Sequence, residues 1–222
     1  MVIMFDNFFY CFSNIISVFT KFVGFFVDFV AYGDLNTDLG SAKMDMRLDT
    51  KDGRDGAKYT GNLNLVDFDL KTWTGNDQLG NITVTSKISE GVGISAATAK
   101  AKIDANIDNF TFRNYVYNDF KMDGRLTQNL FDGNFIIKDE NIDLSFDGSV
   151  DFSDTIPVFD FKADIKTLNL DELNLMKQDF GITGKMNLEI RDINISNVEG
   201  NAQFSNLVFQ RNGTEKYEID TL

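Results

Sequence analysis

The 222-residue sequence predicts an all-β fold, a long curled antiparallel sheet preceded by one amphipathic helix. Three observations predict it. The first is period-two alternation across residues 115–153. There Phe120, Met122, Gly124 and Leu126 alternate with Lys121, Asp123, Arg125 and Thr127. Further on, Ile142, Leu144, Phe146, Gly148, Val150 and Phe152 alternate with Asp143, Ser145, Asp147, Ser149 and Asp151. Successive strand side chains point to opposite faces, so this pattern writes one apolar and one polar face. The second is the shortness of the links, such as residues 139–141, which leave no room for crossover helices and require antiparallel neighbours. The third is the single proline, Pro157, which leaves long strands uninterrupted and stands just ahead of one, where proline is tolerated.

In chain order, residues 1–20 differ from the rest. Phe5, Phe8, Phe9, Phe12, Ile15, Ile16 and Phe19 recur at helical spacing, with Asp6, Asn7, Ser13, Asn14 and Ser17 mostly on the other side. This predicts an amphipathic helix, either lying on a membrane or in a groove, or packed on one end of its own sheet, the second being favoured. Near Lys21 the period becomes ambiguous, and residues 22–30 already read as strand. The segment is a poor signal peptide, with no basic start, and its uncharged run is shorter than the roughly 20 residues of a membrane span.

Residues 21–222 read as one repeating β-region. Met44, Met46 and Leu48 alternate with charged residues; a polar turn, KDGRDG, follows. Leu63 and Leu65 continue, then the phase slips at Val66-Asp67, which needs a bulge or turn to keep the later side chains on their face. Ile82 and Val84, then Ile103 and Ile107, mark the next two strands. Met122 and Leu126, Phe135 and Ile137, and Leu144, Phe146 and Val150 follow, with turns at Gln128-Asn129 (ending near Asp132-Gly133) and at residues 139–141. Phe161 and Ile165, and Met186 and Leu188, close the apolar set. Leu168, Leu170, Leu173 and Leu175 fit no strand cleanly, and LDELNLMKQ reads as a short helical turn. RNGTE is a hairpin-type turn before a last strand.

About a dozen strands at about 4.8 Å each make a sheet about 60 Å wide, apolar on one face. A flat sheet would expose far more apolar surface than soluble chains tolerate. It must close as a barrel, fold as a sandwich, or curl into a trough.

Composition removes several function classes. Net charge is −13, which opposes nucleic-acid binding. There is no histidine, so Ser-His-Asp and Cys-His nucleophiles are excluded, and one cysteine, Cys11, forms no internal disulfide. The 34 acidic residues alternate with apolar ones as solvated strand faces do, which argues against a glycosidase carboxylate pair. GVGISA lacks the strand–helix context of a dinucleotide loop. DENID begins like a calcium loop but has Leu144 and Val150 where glycine and glutamate are required. The expectation is a chain that is no enzyme, with no cofactor and no metal.

The phrases DFVAYGDLNTDLGSAKMDMRL (28–48), YTGNLNLVDFDL (59–70) and IDNFTFRNYVYNDFKMDGRLTQNLFDGNFIIKDENIDLSFDGSVDF (107–152) carry a recurring unit of apolar, polar, Gly, apolar, short turn, Asp. This resembles the AsmA-like superfamily, and within it the TamB branch, the inner-membrane-anchored component of the translocation and assembly module in Bacteroidetes-type bacteria. The resemblance spans about residues 22–222. It implies an open β-groove (a β-taco) with a hydrophobic interior, lying in the periplasm of the bacterial cell envelope. Implied activities are phospholipid transport between inner and outer membranes and assistance to outer-membrane protein translocation and assembly. Implied partners are phospholipid or other apolar cargo, an outer-membrane assembly barrel, and the membrane through segments outside this chain. The apolar residues named from Met44 to Leu188 would line the groove, and the chain would be an internal piece of a longer protein. The alternative is a structural β-module of a surface adhesin or outer-membrane protein.

Overall fold

A computed structural model describes residues 15–25, 28–93, 98–151, 153, 158–194, 197–211 and 215–221. Thirteen strands follow one another: β1 (Ile15–Phe25), β2 (Asp28–Thr37), β3 (Gly40–Asp49), β4 (Lys58–Asp69), β5 (Leu79–Val92), β6 (Lys100–Phe112), β7 (Tyr115–Leu126), β8 (Leu130–Lys138), β9 (Ile142–Asp151), β10 (Val158–Leu168), β11 (Phe180–Asn194), β12 (Asn197–Arg211) and β13 (Glu215–Thr221). Two short helices interrupt them, α1 (Gly53–Gly56) and α2 (Leu70–Thr74).

All thirteen strands form one sheet in sequence order, each antiparallel to the next, with β1 and β13 as its edges. Short links dictate this order, since a hairpin returns the chain beside the strand it has just left. The strands pack on their sequence neighbours, and the sheet neither closes nor gains a second layer among the described residues. The fold is therefore a curled, open, nearly all-β sheet.

One expectation needs correction. Residues 15–20, read as the end of the amino-terminal helix, belong to β1 and pair with β2 from Ile15↔Thr37 to Phe25↔Asp28. The two polar residues of this run, Ser17 and Thr20, stand three apart among four apolar ones, a spacing that suits a helix and that a strand also tolerates. Its Ile, Val, Phe and Thr content favours a strand, and the free edge of β2 offers hydrogen bonds that a helix would leave unused. The rest of that expected helix, residues 1–14, lies outside the described residues. Strand β8 also begins earlier than the expected turn allows, at Leu130.

The phase slip in β4 is a bulge. Leu65 pairs with Val84 and Phe68 with Ile82, and Asp67 takes φ 50 between them. The extra residue lets Phe68 return to the apolar face.

Glycine permits the curl where aromatic residues crowd. Gly124, Gly133 and Gly148 stand side by side on β7, β8 and β9. A Cβ on Gly133 would lie 2.3 Å from the Asp123 carbonyl oxygen. Gly148, at φ +140, would place one 2.2 Å from that of Asp160. The strands approach more closely here than any side chain allows. The Phe131 ring lies over Gly124, 2.9 Å from where a Cβ would stand, and 5.8 Å from the ring of Phe135.

Candidate functional site

Register carries the apolar face across the sheet. One row runs Leu35, Ala42, Leu65, Val84, Ile107, Phe120, Ile137, Leu144, Ile165, Gly184, each the cross-strand partner of the next. The next row runs Met44, Leu63, Ser86, Ala105, Met122, Phe135, Phe146, Ala163, Met186. A third holds Met46, Ile103, Phe161 and Leu188, and a fourth Leu48, Leu126 and Val150. Ile82 stands beyond the first row, paired with Phe110. All twenty residues expected to line a groove thus share one face.

Their burial reveals the curl. Val84, Ile107, Phe146 and Ile165 are buried although no second layer covers them among the described residues. On a flat single sheet nothing would shield these side chains, so they bury one another by curvature. The other lining residues are half-buried, except Leu126, which is 41% exposed. Ser86, the one polar member of its row, is buried and donates its hydroxyl to the Leu63 carbonyl at 2.7 Å. That bond offsets most of the cost of placing a hydroxyl among apolar neighbours.

The densest part of the face is aromatic. Phe135 stacks on Phe146 at 4.7 Å, Phe146 lies 4.9 Å from Phe161, and Phe120 meets Phe135 edge-on at 5.6 Å. Such pairs contribute beyond their buried area and hold β7 to β10 in a fixed curve.

One end of the face is covered. The β10–β11 connection, residues 169–179, turns inward and places Leu173, 0% exposed, in a cluster with Tyr117, Ile137 and Ile142. Phe110, Phe112, Tyr115 and Leu168 pack around it. Hydrogen bonds tie this loop to the β8–β9 turn. The Asn169 backbone amide donates to the Asn141 carbonyl at 2.9 Å, and its side-chain amide to Asn141 Oδ1 at 3.0 Å. Asp139 anchors that turn, accepting from the Tyr115 hydroxyl and from Asn118 Nδ2 at 2.8 Å. Sequence reasoning missed Leu173, Tyr117 and Phe110. The usable signal was a connection longer than its neighbours that still carried several leucines.

Burial and the Asp139 hydrogen bond push the Tyr115 phenol up to about 12. Burial also opposes ionisation of Asp139, but hydrogen bonds from Tyr115 and Asn118 outweigh it and hold the carboxyl below its ordinary value. The phenol favours the fold in its neutral form. Its contribution is complete below the ordinary phenol value of 10.0 and is lost as pH rises towards about 12. The Asp139 contribution is present above the ordinary carboxylate value of 3.8 and is lost as pH falls through its lowered pKa. A pH series of thermal unfolding should therefore show an alkaline decline in this window that is smaller in Tyr115→Phe. An identical decline in the variant would refute the assignment.

The polar face carries cross-strand ion pairs, among them Lys185–Asp164 at 3.4 Å and Arg125–Glu90 at 2.7 Å. It also carries three clefts of about 580, 380 and 680 Å³. Among the described residues no cluster of three or more Cys, Asp or Glu could hold a metal ion, and no helix is long and apolar enough to cross a membrane.

Fold and register together define an open, curled sheet that is single-layered among the described residues and carries one continuous apolar face. In comparison with known proteins, the chain matches no family model, no curated protein and no solved structure.

Proposed function

We propose that this chain is a segment of a hydrophobic β-groove that carries the acyl chains of phospholipid, or other apolar cargo, in the bacterial periplasm. The observation that supports it most is the apolar face itself, continuous in register over at least ten strands and, among the described residues, covered only at one end by the 169–179 loop. Binding apolar cargo would remove that face from water, at about 25 cal/mol per Å² covered. The resemblance to the AsmA-like superfamily and its TamB branch supports the envelope setting, transport between the two membranes and a role in outer-membrane protein assembly. A structural β-module is the competing reading, favoured by the depth at which Phe146 and Ile165 are already buried.

Two residues of matched exposure separate the readings. Leu126 is 41% exposed on the apolar face, and Ile136 is 42% exposed on the polar face. Both can accept a hydrated carboxylate without burying it. Leu126→Asp should fold yet retain about tenfold less lipid in native mass spectrometry, since a charge beside an acyl chain costs on the order of 1–3 kcal/mol. Ile136→Asp should retain lipid as the parent does. A parent that retains no lipid, or equal retention by all three proteins, would favour the structural module.

A further inference from the structure

We infer that the cleft on the polar face at the ends of β3, β4, β5 and β6 is a binding site for a phosphate-type anion, held between Lys58 and Lys100. The chain as a whole carries −13, so a cation-rich cleft runs against its average field. Two other clefts on this face are electrically balanced. One is lined by Lys43 and Lys87 against Asp45 and Asp104, the other by Lys162 and Lys185 against Asp147 and Asp164. The third, about 680 Å³, is lined by Arg47, Lys58, Lys100 and Arg125 against only Asp49 and Glu90.

Both carboxylates of this cleft are engaged. Asp49 pairs with Lys51 at 3.3 Å, and Glu90 with Arg125 at 2.7 Å. Arg47 is engaged in turn by Asp28 at 3.1 Å. Lys58 and Lys100 have no ion pair among the described residues and are exposed.

Register sets their spacing. Lys58 is the cross-strand partner of Val92, and Val92 of Lys100. The two lysines therefore flank one short apolar side chain on the same face, with Cα atoms about 10 Å apart at the usual strand spacing. Each four-carbon arm reaches about 6 Å, so both ammonium groups can converge on one tetrahedral anion above Val92. Without an anion, mutual repulsion keeps them apart. A phosphate spreads charge over several oxygens and can accept from two directions at once, which suits this pair better than a single carboxylate does. The volume also exceeds that of a bare phosphate and is in the range of pockets that hold a larger molecule. The ligand class is thus a phosphorylated compound, free in solution or presented as a lipid headgroup. The site lies on the face opposite the apolar strip, and it stands whether or not that strip carries cargo.

The test uses the full chain and two probes. Inorganic pyrophosphate is titrated calorimetrically at low salt, and vesicles of phosphatidylcholine with or without phosphatidylglycerol are used in flotation. Lys58→Gln/Lys100→Gln is compared with Lys43→Gln/Lys87→Gln, which removes the same charge from a balanced cleft. The first pair should weaken pyrophosphate binding by at least about tenfold, and the second by less than about twofold. Thermal unfolding of both variants should match the parent, since all four side chains are exposed. Flotation with the phosphatidylglycerol vesicles that is lost only in the first variant would support a headgroup site. Pyrophosphate binding without flotation would support a free phosphorylated ligand. The proposal is overturned if the parent binds neither probe, or if both variants lose affinity equally.

Discussion

Phe146→Ala should lower the unfolding free energy by about 3–5 kcal/mol, and Phe146→Asp should cost no more than about 1 kcal/mol beyond that. Phe146 is 8% exposed and meets Phe135 at 4.7 Å and Phe161 at 4.9 Å, so truncation removes the centre of the aromatic stack. In a closed core the aspartate would add the full penalty of an unpaired buried charge. Here no second layer covers Phe146 among the described residues, and the space vacated by the ring admits water to a shorter, charged side chain. Urea titrations of the parent and both variants measure the difference directly. An aspartate variant that fails to fold while the alanine variant survives would show a dry, closed interior and would remove the main support for a cargo-bearing trough. Asp147→Asn, on the exposed face, should leave stability within about 0.5 kcal/mol.

Leu173→Ala is the second large effect expected, about 2–5 kcal/mol, with the cost rising with the cavity that remains. Its side chain is fully enclosed and is the only contribution of the 169–179 loop to the cluster around Tyr117, Ile137 and Ile142. Leu175, in the same loop and 37% exposed, is the control and should cost less than about 1 kcal/mol on truncation. Amide exchange should accelerate first in the ends of β7, β8 and β9 that this loop covers. Equal destabilisation by the two leucines would mean that the loop contributes through its backbone bonds rather than through Leu173.

Much of the fold was legible because alternation and short links each constrain strands independently. Lys43, Asp45 and Arg47 between Ala42, Met44, Met46 and Leu48 determine which face is wet, and the 139–141 turn leaves only an antiparallel return. The Val66-Asp67 slip was legible as a needed bulge for the same reason, since without one Phe68 would face water. Residues 15–20 were not legible, because Ser17 and Thr20, three apart among Ile15, Ile16, Val18 and Phe19, fit a helical period and leave no strict alternation to read. Leu173 was hidden for a different reason. A loop leucine has no periodic partner, and what buries it comes from strands some 30 to 55 positions earlier in the chain.

Side-chain period and link length, acting over a few residues, set the strand content, the antiparallel order and the membership of the apolar face. Only the tertiary structure decided among barrel, sandwich and trough, because closure depends on how twist and curl accumulate over thirteen strands. It alone also decided that Leu173 covers one end of the face, and that Lys58 and Lys100 flank Val92. Those arrangements bring together residues about 30 to 55 positions apart, and they depend on register, on bulges in β4 and β5 and on the path of one loop, none of which leaves a local period in the chain.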